Sequence, residues 1–223
     1  GYFDMSISER LAFFTQVRGN FEETGGIQPS SRYLAEAMAE PLRRFRITDA
    51  ITPVRILEIG PGTGAITRAI CTCMGPQDEL DCYEINEEFV RYLVGAIQKD
   101  EVLAPVAEQI RIHHAPAQEL AKGDRFDFAI CSAPLNNFDA ATINAILEPM
   151  LAAVTGQGTA TLFEYIFFPA LRRTFAQGVL RTQLREAQSE KSQWLTRCGR
   201  SSMLVLRNLP PARVHEFGPF IDY

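Results

Sequence analysis

Apolar positions recur along the chain in two alternating rhythms. Between residues 6 and 24, Ile7, Leu11, Phe14, Val17 and Phe21 fall at steps of three and four. That is one face of an amphipathic helix, widened by Phe13 and capped by Ser6 or Ser8. A turn-rich break at 24–31 leads into a second helix over 32–45, with Tyr33, Leu34, Ala37 and Met38 on its inner side. From residue 54 the rhythm shortens. Runs at 54–59, 80–83, 109–113, 126–131 and 159–166 read as strands, the last entered through a turn at Gly156, Gln157 and Gly158. Helical spacing fills the intervals: Ile66, Ala69, Ile70 and Met74, then a helix from 88 to a loop at 99–105, then 141–153. Strands alternating with helices predict a parallel, doubly wound sheet. Residues 171–200 keep a drifting helical stripe, and 203–207 with 212–217 predict a hairpin around Asn208, Leu209, Pro210 and Pro211. The chain reads as one domain, a helical segment at 6–47 and an α/β core at 50–223.

The first strand ends in chemistry. Glu58 and Ile59 run into Gly60, Pro61, Gly62, Thr63 and Gly64, and a helix begins directly after. Glycines at three alternate positions allow backbone conformations closed to other residues, so a ligand can lie against the main chain near a helix N-terminus. No Lys-Ser/Thr pair follows, which excludes a nucleotide-triphosphate loop, and the G-x-G-x-G spacing is not the dinucleotide fingerprint. Glu84, after the second strand, stands where an acid clamps a ribose diol. An acid two residues before the first glycine suits a ligand with a cationic amine and no pyrophosphate. S-adenosylmethionine has that amine, a sulfonium and a ribose.

Composition changes this picture little. The apolar share of 46% and charged share of 22% are those of an ordinary globular protein. No apolar run approaches bilayer-crossing length, and no signal-peptide pattern is visible. The five cysteines lack zinc spacing and read as reduced, buried thiols; no metal is expected. His113 and His114, adjacent on a strand, point to opposite faces and read as structural. A net charge of −5 argues against a nucleic-acid partner, yet 171–200 carries seven Arg/Lys against Glu186 and Glu190. A basic amphipathic segment of that kind is a solvated helix or a contact for an anionic surface. The helix at 6–24 likewise packs on the core or lies in a lipid interface.

The E-x-G-x-G-x-G run followed by an acid is similar to the cofactor signature of class I methyltransferases, a Rossmann-like fold closed by an antiparallel hairpin. The resemblance implies a cofactor site made by Glu58, Gly60, Pro61, Gly62, Thr63, Gly64, Glu84, Ile85, Ala115, Ala117 and Ser132. Its cofactor is S-adenosylmethionine, released as S-adenosylhomocysteine. Four stretches, at 26–34, 57–64, 134–138 and 207–214, further resemble the bacterial phospholipid N-methyltransferases, which make phosphatidylcholine from phosphatidylethanolamine. That resemblance implies a monomer, cytoplasmic and peripheral on the inner face of the cell membrane. Asn136, Tyr165 and Tyr33 would be catalytic, and Arg32, Arg172, Arg173, Arg207 and Arg213 would meet substrate phosphate or membrane.

Two departures stand out. Ala115-Pro116-Ala117 replaces the family's Gly-Asp-Ala, leaving adenine to backbone amides or Gln118. Glu164 precedes Tyr165 where a neutral residue is common, and reads as a proton acceptor or a bias toward another cationic head group. Asn136-Asn137-Phe138 also looks like the loop of the RNA adenine dimethyltransferases, so an enzyme of that type, or a small-amine N-methyltransferase, is the alternative.

Overall fold

The computed structural model describes residues 29–133, 135, 138–166, 179–208 and 210–218. The stripe expected over 6–24, and Asn136, Arg172 and Arg173, lie outside the described residues. The elements run α1 (Pro29–Met38), α2 (Glu40–Thr48), β1 (Arg55–Ile59), α3 (Ala65–Cys71), β2 (Glu79–Glu84), α4 (Glu87–Lys99) and β3 (Ile110–His114). They continue with β4 (Phe126–Cys131), α5 (Ala140–Ala152), β5 (Val154–Tyr165), α6 (Val179–Cys198), β6 (Gly199–Val205) and β7 (Ala212–Phe217).

The seven strands order as β3-β2-β1-β4-β5-β7-β6. The first five are parallel, and β7 lies antiparallel between β5 and β6. Strand alternation sorts the core into two layers. Leu57, Ile59, Ala129, Cys131 and Leu162 face α5 and α6. Ile56, Leu80, Cys82, Ile130 and Phe163 face α1 to α4, where Met38, Leu42, Ile66, Ile70 and Leu93 pack. The strands are thus buried on both faces, as parallel sheets require.

Helix starts follow local chemistry. Asn86 accepts from the backbone N–H of Glu88 and Phe89 and starts α4; Asp139 accepts from Thr142 N–H and starts α5. Two expectations are corrected. The helix read over 32–45 is two, parted at Ala39 because Pro41 occupies the first turn of α2, where a proline fits best. Gly156, Gln157 and Gly158 are not a turn before the fifth strand but a bulge within it. The β4 partner jumps from Val154 to Thr159 between Phe126 and Phe128. A Cβ on Gly158 would lie 2.5 Å from Val154 Cγ1, so the bulge admits only glycine.

Candidate active site

The strand order reverses between the parallel neighbours β1 and β4, since β2 and β3 build outward on one side and β5 on the other. In open α/β sheets ligands bind beyond the carboxyl ends of the strands at this switch point. The structure has a cleft there, lined by Ile59, Gly60, Glu84, Ile85, Ala115 and Phe138 among others. Its empty space, counted out through the open mouth, is about 390 Å³.

The glycine loop forms one wall. Gly60, Gly62 and Gly64 all take positive φ, at 69°, 59° and 88°. Each is needed for a different reason. A Cβ on Gly60 would come within 3.3 Å of Ala133 Cβ, and one on Gly64 within 2.9 Å of Leu93 Cδ1. On Gly62 it would meet nothing within 4 Å. Gly62 thus offers bare backbone to open space, the approach a tightly held ligand uses.

Glu84 joins loop to cleft. It is 1% exposed, and its carboxylate accepts from Gly62 N–H at 3.1 Å and Asn86 N–H at 2.9 Å. An ionised carboxylate is an acceptor with about four lone-pair sites, the chemistry a diol requires, and Glu84 stands on the cleft wall. Ile85, Ala115, Ala117 and Phe138 line the cleft with apolar surface, which a purine face can pack against. The residues present therefore fit S-adenosylmethionine: backbone at Gly60–62, acid at Glu84 and apolar surface beyond β3.

Glu58 has a different placement. It is wholly buried, on the α3 side of the sheet, and is not among the cleft-lining residues. Ser132 Oγ donates to its Oε1 at 2.6 Å, and Thr67 Oγ1 to its Oε2 at 2.7 Å. Cys82 Sγ lies 3.7 Å from the same Oε2; burial, reinforced by Glu58, raises this thiol well above its ordinary value and keeps it a donor. One carboxylate thereby ties the ends of β1 and β4 to α3, and Ser132 belongs to this strut. Pro61, Thr63 and Gly64 complete the turn it supports.

The far side of the mouth is built from α1, β5 and the hairpin. Tyr165 closes β5 with its ring edge-on to Phe163, centroids 5.3 Å apart. Tyr33 on α1 is 37% exposed, and Arg207 carries its guanidinium 5.3 Å above that ring. Arg32 is exposed and paired with Glu36 on its own helix; Arg213 is half-buried on β7. Gln118 is exposed on a short 3-10 turn after β3. His113 bonds Asp81 and stacks on Tyr83, while His114 bonds the Ile85 carbonyl, as opposite faces require.

Glu164 is neither free acceptor nor cation trap. It is held between two buried partners, the Lys191 ammonium of α6 and His215 Nε2 of β7, the latter at 3.0 Å. Burial alone would raise its pKa, but the His215 hydrogen bond and the Lys191 charge outweigh burial and hold it at about 2. Lys191 and His215 escaped sequence reading because nothing in a polar helix marks one lysine as the buried one.

Residues 56–158 match the methyltransferase-domain family. Solved structures share the fold at low identity. The O-methyltransferase TomG from Streptomyces achromogenes, in complex with S-adenosylmethionine, has a TM-score of 0.62 at 12% identity over 96% of this chain and 89% of its own. Magnesium protoporphyrin IX methyltransferase from Synechocystis PCC 6803, with the same molecule bound, scores 0.61 at 11% over 95% and 96%. The glycopeptide N-methyltransferase MtfA, complexed with sinefungin, scores 0.59 at 12% over 83% and 87%. Among curated proteins none matches the sequence. Residues 56–158 thus carry a methyltransferase domain, and the chain has the fold of class I methyltransferases. The cleft fits S-adenosylmethionine, the molecule that TomG and the protoporphyrin enzyme hold.

Proposed function

We propose that this enzyme methylates the amine of phosphatidylethanolamine, or of its partly methylated forms, towards phosphatidylcholine at a membrane surface. The observation that carries the reading is a meeting of distant segments. The stretches at 26–34 and 207–214 bear the specific resemblance to the phospholipid enzymes, and Arg207 of one lies over Tyr33 of the other at the carboxyl edge. They flank the end of β5, which pairs Tyr165 with Ala212 of β7. Among the described residues no helix is long and apolar enough to cross a membrane, so a lipid amine must be met at the headgroup level.

The bound cofactor supplies an activated methyl on a sulfonium, and nitrogen attack on it needs no covalent enzyme intermediate. The residues of this chain have three tasks: to orient the amine, to receive its proton as it becomes a nucleophile, and to exclude water. Asn136 and Tyr165 are proposed to flank the amine, with Tyr33 covering it. Arg32, Arg172, Arg173, Arg207 and Arg213 are proposed to meet lipid phosphate. Hydrogen bonds formed mainly in the transition state lower turnover when removed more than they lower cofactor affinity. Asn136→Ala and Tyr165→Phe should each behave so in steady-state assays on lipid; full turnover in both would remove this placement. Incubation with labelled cofactor and a mixture of lipids and RNA tests the substrate class. Label in the phosphatidylethanolamine fraction is expected, and label in RNA alone would overturn the reading.

A further inference from the structure

We propose that the outer end of the β6–β7 hairpin, centred on Leu204, Leu206 and Arg207, docks on an anionic phospholipid bilayer and sets the mouth of the cleft at the headgroup plane. This rests on the lipid reading above. β6 is an edge strand of the sheet, and every residue of it before Val205 is exposed. Met203, Leu204 and Leu206 are 45%, 51% and 69% exposed, three large apolar side chains within four positions. β6 runs parallel to β5, so these residues lie at the carboxyl edge that holds the cleft. The hairpin end is also fixed to the mouth. Ile166 N–H donates to the Pro211 carbonyl, and Arg207 stacks on Tyr33.

Charge selects the occupant. Arg44, Arg46, Arg55, Arg68 and Arg111 each have a carboxylate partner. Arg200, Arg207 and Arg213 have none among the described residues, and the hairpin's own acid, Glu216, is buried and taken by Arg44. On a chain of net charge −5 the hairpin is therefore a local excess of positive charge around exposed leucines. Met203 and Leu204 are adjacent on a strand and project to opposite faces. They do not make one flat patch for a folded protein, but both can enter a deformable apolar phase while the arginines stay among phosphates.

The test uses the full chain and vesicles of phosphatidylcholine alone or mixed equally with phosphatidylglycerol. Binding should be stronger to the mixed vesicles and should weaken with salt. Leu206→Asp and Leu204→Asp should each lower partitioning on the order of tenfold or more, with unchanged melting temperature and unchanged methylation of a short-chain phosphatidylethanolamine dispersed as monomers. Arg207→Glu should remove most of the salt dependence. Wild-type partitioning in both leucine variants would overturn the docking surface while leaving the substrate reading intact. So would a wild-type dimer that the leucine variants dissolve, since β6 would then pair with a second copy. Undiminished vesicle binding with no lipid methylated would instead overturn the substrate reading alone.

Discussion

At the scale of single residues, two carboxylates near the glycine loop do different work, and substitution should separate them. Glu84 holds Gly62 and Asn86 N–H and stands on the cleft wall. Glu84→Ala should weaken S-adenosylmethionine binding by roughly 1–3 kcal/mol, read by calorimetry; unchanged affinity would reject the ribose role. Glu58→Ala should act mainly on stability. It strands two buried hydroxyl donors, Ser132 and Thr67, at a loss of roughly 3 kcal/mol, read as a fall in melting temperature. The Glu84 position was legible because an acid after the second strand has one common use. Glu58 was legible as important, but its direction was not, because period-two alternation only became definite once the neighbours of β1 were known.

At the scale of elements, the joint between β5, β7 and α6 is the least expected part of the molecule. Glu164, Lys191 and His215 come from three elements and share one buried contact. The Glu164 pKa, about 2 in the fold against an ordinary 4.5, makes stability depend on pH with a definite sign. A depressed carboxylate stabilises the fold fully above its unfolded pKa, and that contribution is lost as pH falls from about 4.5 towards 2. Its size is about 3 kcal/mol by linkage. Melting temperature should therefore drop steeply below pH 4.5 in the wild type and less steeply in Glu164→Gln, where no proton is taken up at this site. Lys191→Met should make that acid-dependent drop smaller and end it at higher pH, because loss of one of the two groups that hold the carboxylate ionised raises its folded pKa towards the unfolded value. Equal pH profiles for all three proteins would exclude the joint as a source of acid sensitivity.

At the scale of the whole molecule, the cleft joins the ends of β1, β2 and β3 to α5, so cofactor binding should stabilise the entire fold. At a hundredfold excess over its Kd, S-adenosylmethionine should add about 2.7 kcal/mol. Thermal scans should show a clear rise in melting temperature that Glu84→Ala loses at the same concentration. A rise of equal size in the variant would place the ligand elsewhere.

The sequence by itself determined the sheet's parallel core, the closing hairpin and the place of the glycine turn. Those depend on local periodicity and on backbone conformations that only glycine adopts, which neighbours in the chain report directly. It also placed Glu84 at the end of the second strand and the two histidines on opposite faces, because strand ends and strand faces follow from counting. Only the tertiary structure decided that Gly156–158 is a bulge, since a register shift is a property of two strands and not of one. It alone turned Glu58 towards α3 and closed Glu164 between Lys191 and His215. It also set Arg207 over Tyr33 and left Leu204 and Leu206 exposed beside arginines with no carboxylate partner among the described residues. Each of these is a contact or a missing contact between residues far apart in the chain, fixed by how the layers pack rather than by any pattern within one segment.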